Sequence, residues 1–181
     1  MEHRAFTSKF GGRIREIKTH AGIFPVATGD QVIPEEIEQL EALWDTGATN
    51  TAVSSSAISK VGSTPITFAQ VATGGGPVTA PVHLINIVLP NNVIIPNIQV
   101  TELKDLNNCD ILIGMDIIGG GDFAITHVSG EACFSFRMPS TKQIDFVPES
   151  NDHNFKLKYG FSKKPVKTAS KSKKTKRNKK K

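Results

Sequence analysis

Between about Arg13 and Ile144 the apolar residues fall in short runs rich in Val, Ile, Thr and Phe. Gly, Pro and Asn break these runs at regular intervals, which is the signature of a chain of short strands. Ile66–Thr73 and Val78–Leu89 are two extended runs separated by Gly74-Gly75-Gly76-Pro77, and that spacing predicts a long hairpin with a flexible tip. Leu89-Pro90-Asn91-Asn92 reads as a second turn, leading into Val93–Thr101. Ile111–Ile113 is wholly apolar, as expected of a strand buried on both faces. Phe123–Val128 and Ala132–Met138 read as a closing hairpin across Ser129-Gly130-Glu131. Helix is scarce. Ser54-Ser55-Ser56 can cap one short turn over Ala57–Val61, with Gly62 ending it, and Asp116–Gly119 can form another, cut short by Gly119-Gly120-Gly121. Pro34–Leu43 fits two patterns: Ile37, Leu40 and Leu43 share a helical face, while Leu40, Ala42 and Trp44 alternate.

Charge divides the chain. The formal net charge of +5 hides an acidic body and a basic end. All 17 acids lie in residues 1–155 beside nine bases, a net −8. From Lys156 to Lys181 there are thirteen bases and no acid, a net +13. After Ile144 the apolar pattern fades into Pro148-Glu149-Ser150-Asn151-Asp152, a linker, and from Lys163 only Val166 and Ala169 are apolar. So few apolar residues do not offset ordering entropy, and a disordered tail is expected. The organisation read from these boundaries is an N-terminal extension over 1–12, a β domain over 13–144, a linker over 145–162 and a Lys-rich tail over 163–181.

Several classes are excluded. No stretch approaches the roughly 18–20 apolar residues of a membrane helix, so no membrane partner is expected. Met1-Glu2-His3-Arg4 leads into no apolar segment, and a cytoplasmic setting without a secretory signal follows. Cys109 and Cys133 are too few for a disulfide framework or a four-cysteine zinc site; each sits in an apolar run and reads as a buried free thiol. The five histidines are scattered without ligand spacing. Neither a metal nor a cofactor is implied.

The informative stretch is Ala42-Leu43-Trp44-Asp45-Thr46-Gly47-Ala48-Thr49. It places an acid directly after an apolar strand, then a hydroxyl residue, then a glycine. A carboxylate at a strand's end can act as a general base, and Gly47 lets a ligand's backbone come close. An isolated Asp-Thr-Gly is a weak signal, because both Asp and Gly are common in turns. Here Cys109-Asp110-Ile111-Leu112-Ile113-Gly114-Met115-Asp116 follows downstream, with the glycine-tipped hairpin between.

That order resembles the retropepsin-like aspartic proteases over roughly Gln39–Arg137, and its wording is closer to cellular and bacterial members than to viral ones. The resemblance implies an all-β fold: a single-lobe, closed, barrel-like acid protease with a flap hairpin and one or two short helices. It also makes the residues before Asp45 a strand, with Leu43 on the Asp45 face and Trp44 in the core. It implies Asp45, Thr46 and Gly47 as the catalytic loop. Substrate contacts would come from Leu43, Ala48, Thr49, Thr73, Gly74, Gly75, Gly76, Val78 and Ile113, with Gly114 and Asp116 as structural support. Asp116 would cap its helix or bond Thr49 or Thr51.

Enzymes of this kind hold a water between two carboxylates that share one proton, which favours acidic to mildly acidic pH. The chain has one Asp-Thr-Gly and no Asp-Ser-Gly. The resemblance therefore implies a symmetric homodimer cleaving a polypeptide, with Asp45 from each copy meeting on the two-fold axis and Thr46 bracing the pair. Viral members usually carry an acid where Thr49 stands and an arginine where Met115 stands. Neither charge is present, so hydroxyl hydrogen bonds are expected to support the loop. Two other readings remain open at this point: a non-catalytic peptide-binding or assembly domain of the same fold, and non-specific nucleic-acid binding through the basic residues 163–181.

Overall fold

The computed structural model describes residues 2–26, 34–106 and 108–160. The chain divides after Lys142 into two units, which are taken separately. The basic residues 163–181 lie outside the described residues.

The regular structure of the first unit is almost entirely strand, in agreement with the all-β expectation. A seven-stranded sheet runs in the order β2 (Lys18–Pro25), β3 (Leu40–Trp44), β8 (Ile111–Ile113), β4 (Ala52–Ser54), β7 (Val93–Leu103), β6 (Gly76–Leu89) and β5 (Thr67–Thr73). β2 changes partners halfway. Lys18–Ala21 pair with β3, and Gly22–Pro25 pair with β6. The β2–β6 pairing closes six of the strands into a barrel and leaves β5 outside the ring. The interior is branched aliphatic: Val53, Ile85, Ile87, Val100, Ile111 and Ile113 have no exposed surface. These are the residue types that pack best on a pleated surface. A bulge between Ile85 and Ile87 turns Asn86 inward. There its Nδ2 donates to Pro25 O at 3.0 Å and its Oδ1 accepts from Asn97 N at 2.9 Å.

A second, three-stranded sheet has the order β1 (Arg4–Gly11), β10 (Glu131–Met138), β9 (Asp122–Val128). Residues expected to precede the fold are thus part of it, since β1 pairs along its whole length with β10. Phe6, Phe134 and Phe136 line the buried face of this sheet and surround Trp44, the last residue of β3. The Trp44 ring lies 4.9 Å from Phe136 and 5.0 Å from Phe134, in tilted and edge-on contacts that suit aromatic quadrupoles. Its indole N–H donates to Thr19 Oγ1 at 2.9 Å. The last residues of the unit are tied to Asp122, whose carboxylate accepts from Arg137, the Ser140 hydroxyl and the backbone N–H groups of Thr141 and Lys142.

Two short helices serve the barrel. In α1 (Ser55–Val61) the Ser54 hydroxyl caps Ala57 N, and Gly62 ends the helix at φ 62°. α2 (Met115–Ile118) is a single turn starting at Gly114. Both agree with the punctuation read in the sequence.

The second unit contains α3 (Phe146–Tyr159), where a linker was expected. No α3 residue is buried, so no apolar periodicity announced it. Its signals are terminal instead. The Asp145 carboxylate accepts from Val147 N at 2.9 Å, Glu149 lies in the first turn, Lys156 and Lys158 lie in the last, and Gly160 closes the end at φ 74°. Asp152 and Lys156 form an i,i+4 ion pair at 2.6 Å. Caps and charges of this kind each add a few tenths of a kcal/mol to about 1 kcal/mol. Among the described residues no helix is long and apolar enough to cross a membrane.

Candidate active site

β3 and β8 lie side by side and parallel, with Leu43 opposite Leu112 and Trp44 opposite Ile113. Asp45 N donates to Ile113 O at 2.9 Å, so the ladder runs one residue beyond the strand and stops at the acid. The chain then turns, and Ala48 N donates back to Asp45 O at 3.2 Å. Within the turn Gly47 N donates to Asp45 Oδ1 at 2.8 Å, which orients the carboxylate. A Cβ at Gly47 would lie 3.1 Å from that same oxygen. Asp45 is half-buried, Thr46 and Gly47 are exposed, and the Thr46 hydroxyl has no hydrogen bond to any described residue.

The loop is held from behind. Met115 N donates to Ala48 O at 2.8 Å, and Asp116 N donates to Thr49 O at 3.2 Å. A Cβ on Gly114 would meet Asn50 C at 2.6 Å and Asn50 O at 2.7 Å, so only glycine lets β8 and the loop pass this closely. Thr51 is fully buried and closes the arrangement. Its N–H and hydroxyl donate to the two oxygens of Asp116 at 2.9 and 2.7 Å, and its hydroxyl oxygen accepts from Gly114 N at 3.1 Å. Asp116 Oδ1 also accepts from Ile117 N at 2.9 Å. Of the roles the sequence left open for Asp116, it binds Thr51 and accepts from one N–H in the first turn of α2, whose N-cap is Gly114. This hydroxyl-centred support is of the kind expected where Thr49 and Met115 carry no charge, and Thr51 supplies it.

The alternation of β8 corrects one assignment. Ile113 has no exposed surface and lies in the core beside Trp44. It cannot line a cleft. Leu112, half-buried and opposite Leu43, is the residue that shares the Leu43 face. Side chains alternate across a strand, but Ile-Leu-Ile is apolar throughout, so the sequence carried no mark of which residue faces inward. The thiols also differ from expectation: Cys109 and Cys133 are free but only partly buried. Partial burial raises the Cys109 thiol's pKa.

The remaining candidates form the tip of the β5–β6 hairpin. Val71 pairs with Val78 and Thr73 with Gly76. The Thr73 hydroxyl donates to Gly76 O at 2.7 Å and accepts from Gly75 N at 3.3 Å, and Gly76 has φ +109°. Gly74, Gly75 and Val78 are exposed. Among the described residues no hydrogen bond joins this tip to the Asp45 loop.

Residues 36–119, the span from just before β3 through α2, match the family described as gag-polyprotein putative aspartyl protease. This match supports the resemblance to retropepsin-like aspartic proteases, and Asp45-Thr46-Gly47 lies inside the matched span. Among solved structures it is similar to a retropepsin-like aspartic protease from Rickettsia conorii. The identity there is 15% and the TM-score 0.47, over 76% of this chain and 97% of that one. It is also similar to EIAV protease in complex with the inhibitor HBY-793, at 16% identity and TM-score 0.42, over 58% and 86% of the two chains. For Simian Foamy Virus (mac) protease the identity is 20% and the TM-score 0.37, over 57% and 92%. A search of curated proteins finds no match.

Proposed function

We propose that this chain is an aspartic endopeptidase that works as a symmetric homodimer, with Asp45 of each copy flanking one water. The observation that carries the reading is the orientation of Asp45: a carboxylate at a strand's end, fixed by Gly47 N at 2.8 Å, on a loop braced by Thr51 and Asp116. One chain supplies one such acid, and the chemistry needs two. One Asp45 takes a proton from the water as its oxygen bonds to the scissile carbonyl carbon, while the other donates a proton to the carbonyl oxygen. Collapse of the resulting diol breaks the C–N bond, and a carboxyl group returns a proton to the leaving amine. Leu43 and Leu112 offer an apolar subsite, Ala48 and Thr49 offer backbone partners, and residues 73–78 act as a flap that excludes water.

Two features support pairing with a second copy. The Thr46 hydroxyl is exposed and unpartnered among the described residues, as a brace to another chain requires. The β1–β10–β9 sheet has two edges, and they differ. Asn91 Nδ2 donates to Ala5 O at 2.7 Å and Arg4 reaches Asn92 O at 2.8 Å, which covers part of the β1 side. From Phe123 to Val128, β9 has no acid, lysine, arginine or proline, and Ile125 and Val128 are exposed. An uncharged open edge of this kind invites another strand.

The test is peptide hydrolysis measured across protein concentration, for wild type and for Asp45→Asn. A rate rising more steeply than linearly in wild type, and absent from a folded mutant, is expected. Cleavage that survives the substitution would refute the reading, and a strictly linear dependence in a monomeric sample would refute the dimer.

A further inference from the structure

His83 is the one histidine among the described residues that is buried, at 1% exposure, and the catalytic scheme above makes no use of it. It sits where the β5–β6 hairpin leaves the barrel. Thr67 pairs with Val82, Ile66 N donates to Val82 O at 2.8 Å, and beyond that point β6 belongs to the barrel through β7 and β2. The imidazole reaches both ways out of its strand. Nε2 lies 2.9 Å from Glu102 Oε2 on β7, and Nδ1 lies 3.2 Å from Ser63 Oγ in the segment between α1 and β5. Hydrogen bonds from the Ser55 hydroxyl at the start of α1 and from His83 hold the Glu102 carboxyl below its ordinary pKa. Glu102 is therefore an ionised acceptor, Nε2 must carry a proton, and in the neutral ring Nδ1 accepts from the Ser63 hydroxyl.

The consequence is mechanical. The hairpin has two stems, one entering through Ser63–Ile66 and one leaving through His83, and the ring ties both to the barrel wall at Glu102. Beyond the root, β5 has no buried residue, and Phe68 is 65% exposed. Packing does little to hold the outer hairpin in place. A buried side chain whose polar atoms are all satisfied fixes one geometry, because any other leaves those groups unpaired in a dry setting.

We infer that His83, clamped between Ser63 and Glu102, is a positioning residue that sets the angle and register of the flap at its root. This rests on reading β5–β6 as the flap of a protease, but the tether itself can be measured without any activity. In the full chain, amide hydrogen exchange over 67–80 is compared among wild type, Ser63→Ala, His83→Phe and His83→Gln. Ser63→Ala removes one surface-proximal hydroxyl and is expected to leave the barrel intact. It and His83→Phe should each speed exchange in 67–80 by about tenfold while β7 and β8 keep their protection. His83→Gln, which keeps a donor and an acceptor, should stay near wild type.

In peptide hydrolysis the same two disruptive substitutions should raise KM about five- to tenfold and leave kcat within about twofold, as expected when only binding-competent flap geometry is lost. Unchanged exchange in 67–80 for Ser63→Ala would overturn the tether, as would a loss of protection spread equally over β7 and β8. If wild type hydrolyses no peptide, the protease reading fails, and the exchange pattern still decides the clamp.

Discussion

The Asp45 loop and the β5–β6 tip are both glycine-bearing turns of similar length, yet they are built to opposite ends. Behind Asp45, Gly114 is packed against the backbone of Asn50, Thr51 is fully buried, and its polar atoms are joined to Asp116, Gly114 and Thr101. At the tip, a Cβ on Gly74 would meet nothing within 4 Å. Only Thr73 bonds across the turn. The same residue type serves close approach in one place and freedom in the other. In the proposed mechanism, a carboxylate that meets its partner within hydrogen-bond distance needs the first design, and a cover that opens for a polypeptide needs the second.

The sharpest way to break this contrast is at the acid. Asp45→Asn keeps the shape of the side chain and should lower peptide hydrolysis by about a thousandfold or more, with thermal unfolding unchanged; a folded mutant retaining even a tenth of the rate would remove Asp45 from the chemistry. Next comes Gly114→Ala. Its methyl has no room against Asn50, so urea unfolding should show a loss of about 2–3 kcal/mol. A neutral result would mean that the loop yields and is not rigid.

The β5–β6 tip should respond more weakly. Gly76→Ala places a side chain at φ +109° and should cost about 1 kcal/mol. Gly74→Ala, with open space around it, should fall within about 0.5 kcal/mol. Equal losses from the two would contradict the geometry of the turn. The smallest effect is an acid-range one outside both regions. Hydrogen bonds from Ser140 and then from Arg137 hold the Asp122 carboxyl well below its ordinary range. A carboxyl with a depressed folded pKa stabilises at neutral pH, and that contribution fades once pH falls below the unfolded value of about 4. Asp122→Asn should therefore unfold more easily than wild type at pH 7, and the gap should narrow towards pH 3. A gap independent of pH would show that charge is not the source.

Much of the barrel was legible because its signals are local. Gly74–Pro77, Pro90–Asn92 and Ser129–Gly130 sit where the chain reverses, and Ser54 and Gly62 bracket α1 as their chemistry requires. Two elements escaped for different reasons. β1 does alternate, with Phe6 buried and Phe10 packed against the core. Its charged neighbours Arg4 and Lys9 made residues 1–12 look like an extension. α3 buries nothing, so a search for periodicity passed over it, although Asp145 and Gly160 were there to mark its ends.

For the candidate site, the turn of Asp45, Thr46 and Gly47 after β3 and the close approach at Gly114 were expected from the resemblance that residue order carries. An acid, a hydroxyl and a glycine after an apolar strand constrain the chemistry wherever the strand happens to lie. Which of Leu112 and Ile113 faces the Leu43 side was not readable, since three apolar residues in a row leave strand phase undetermined. The resemblance left Thr49 and Thr51 both open as partners of Asp116, and spacing could not decide that Thr51, 65 residues before it, carries the support. Pairings across such separations exist only after the barrel closes through β2 and β6, because that closure brings β3, β8 and α2 within hydrogen-bond reach. The residue types therefore decided what chemistry this chain could attempt. The closed barrel decided which side chains stand together to attempt it.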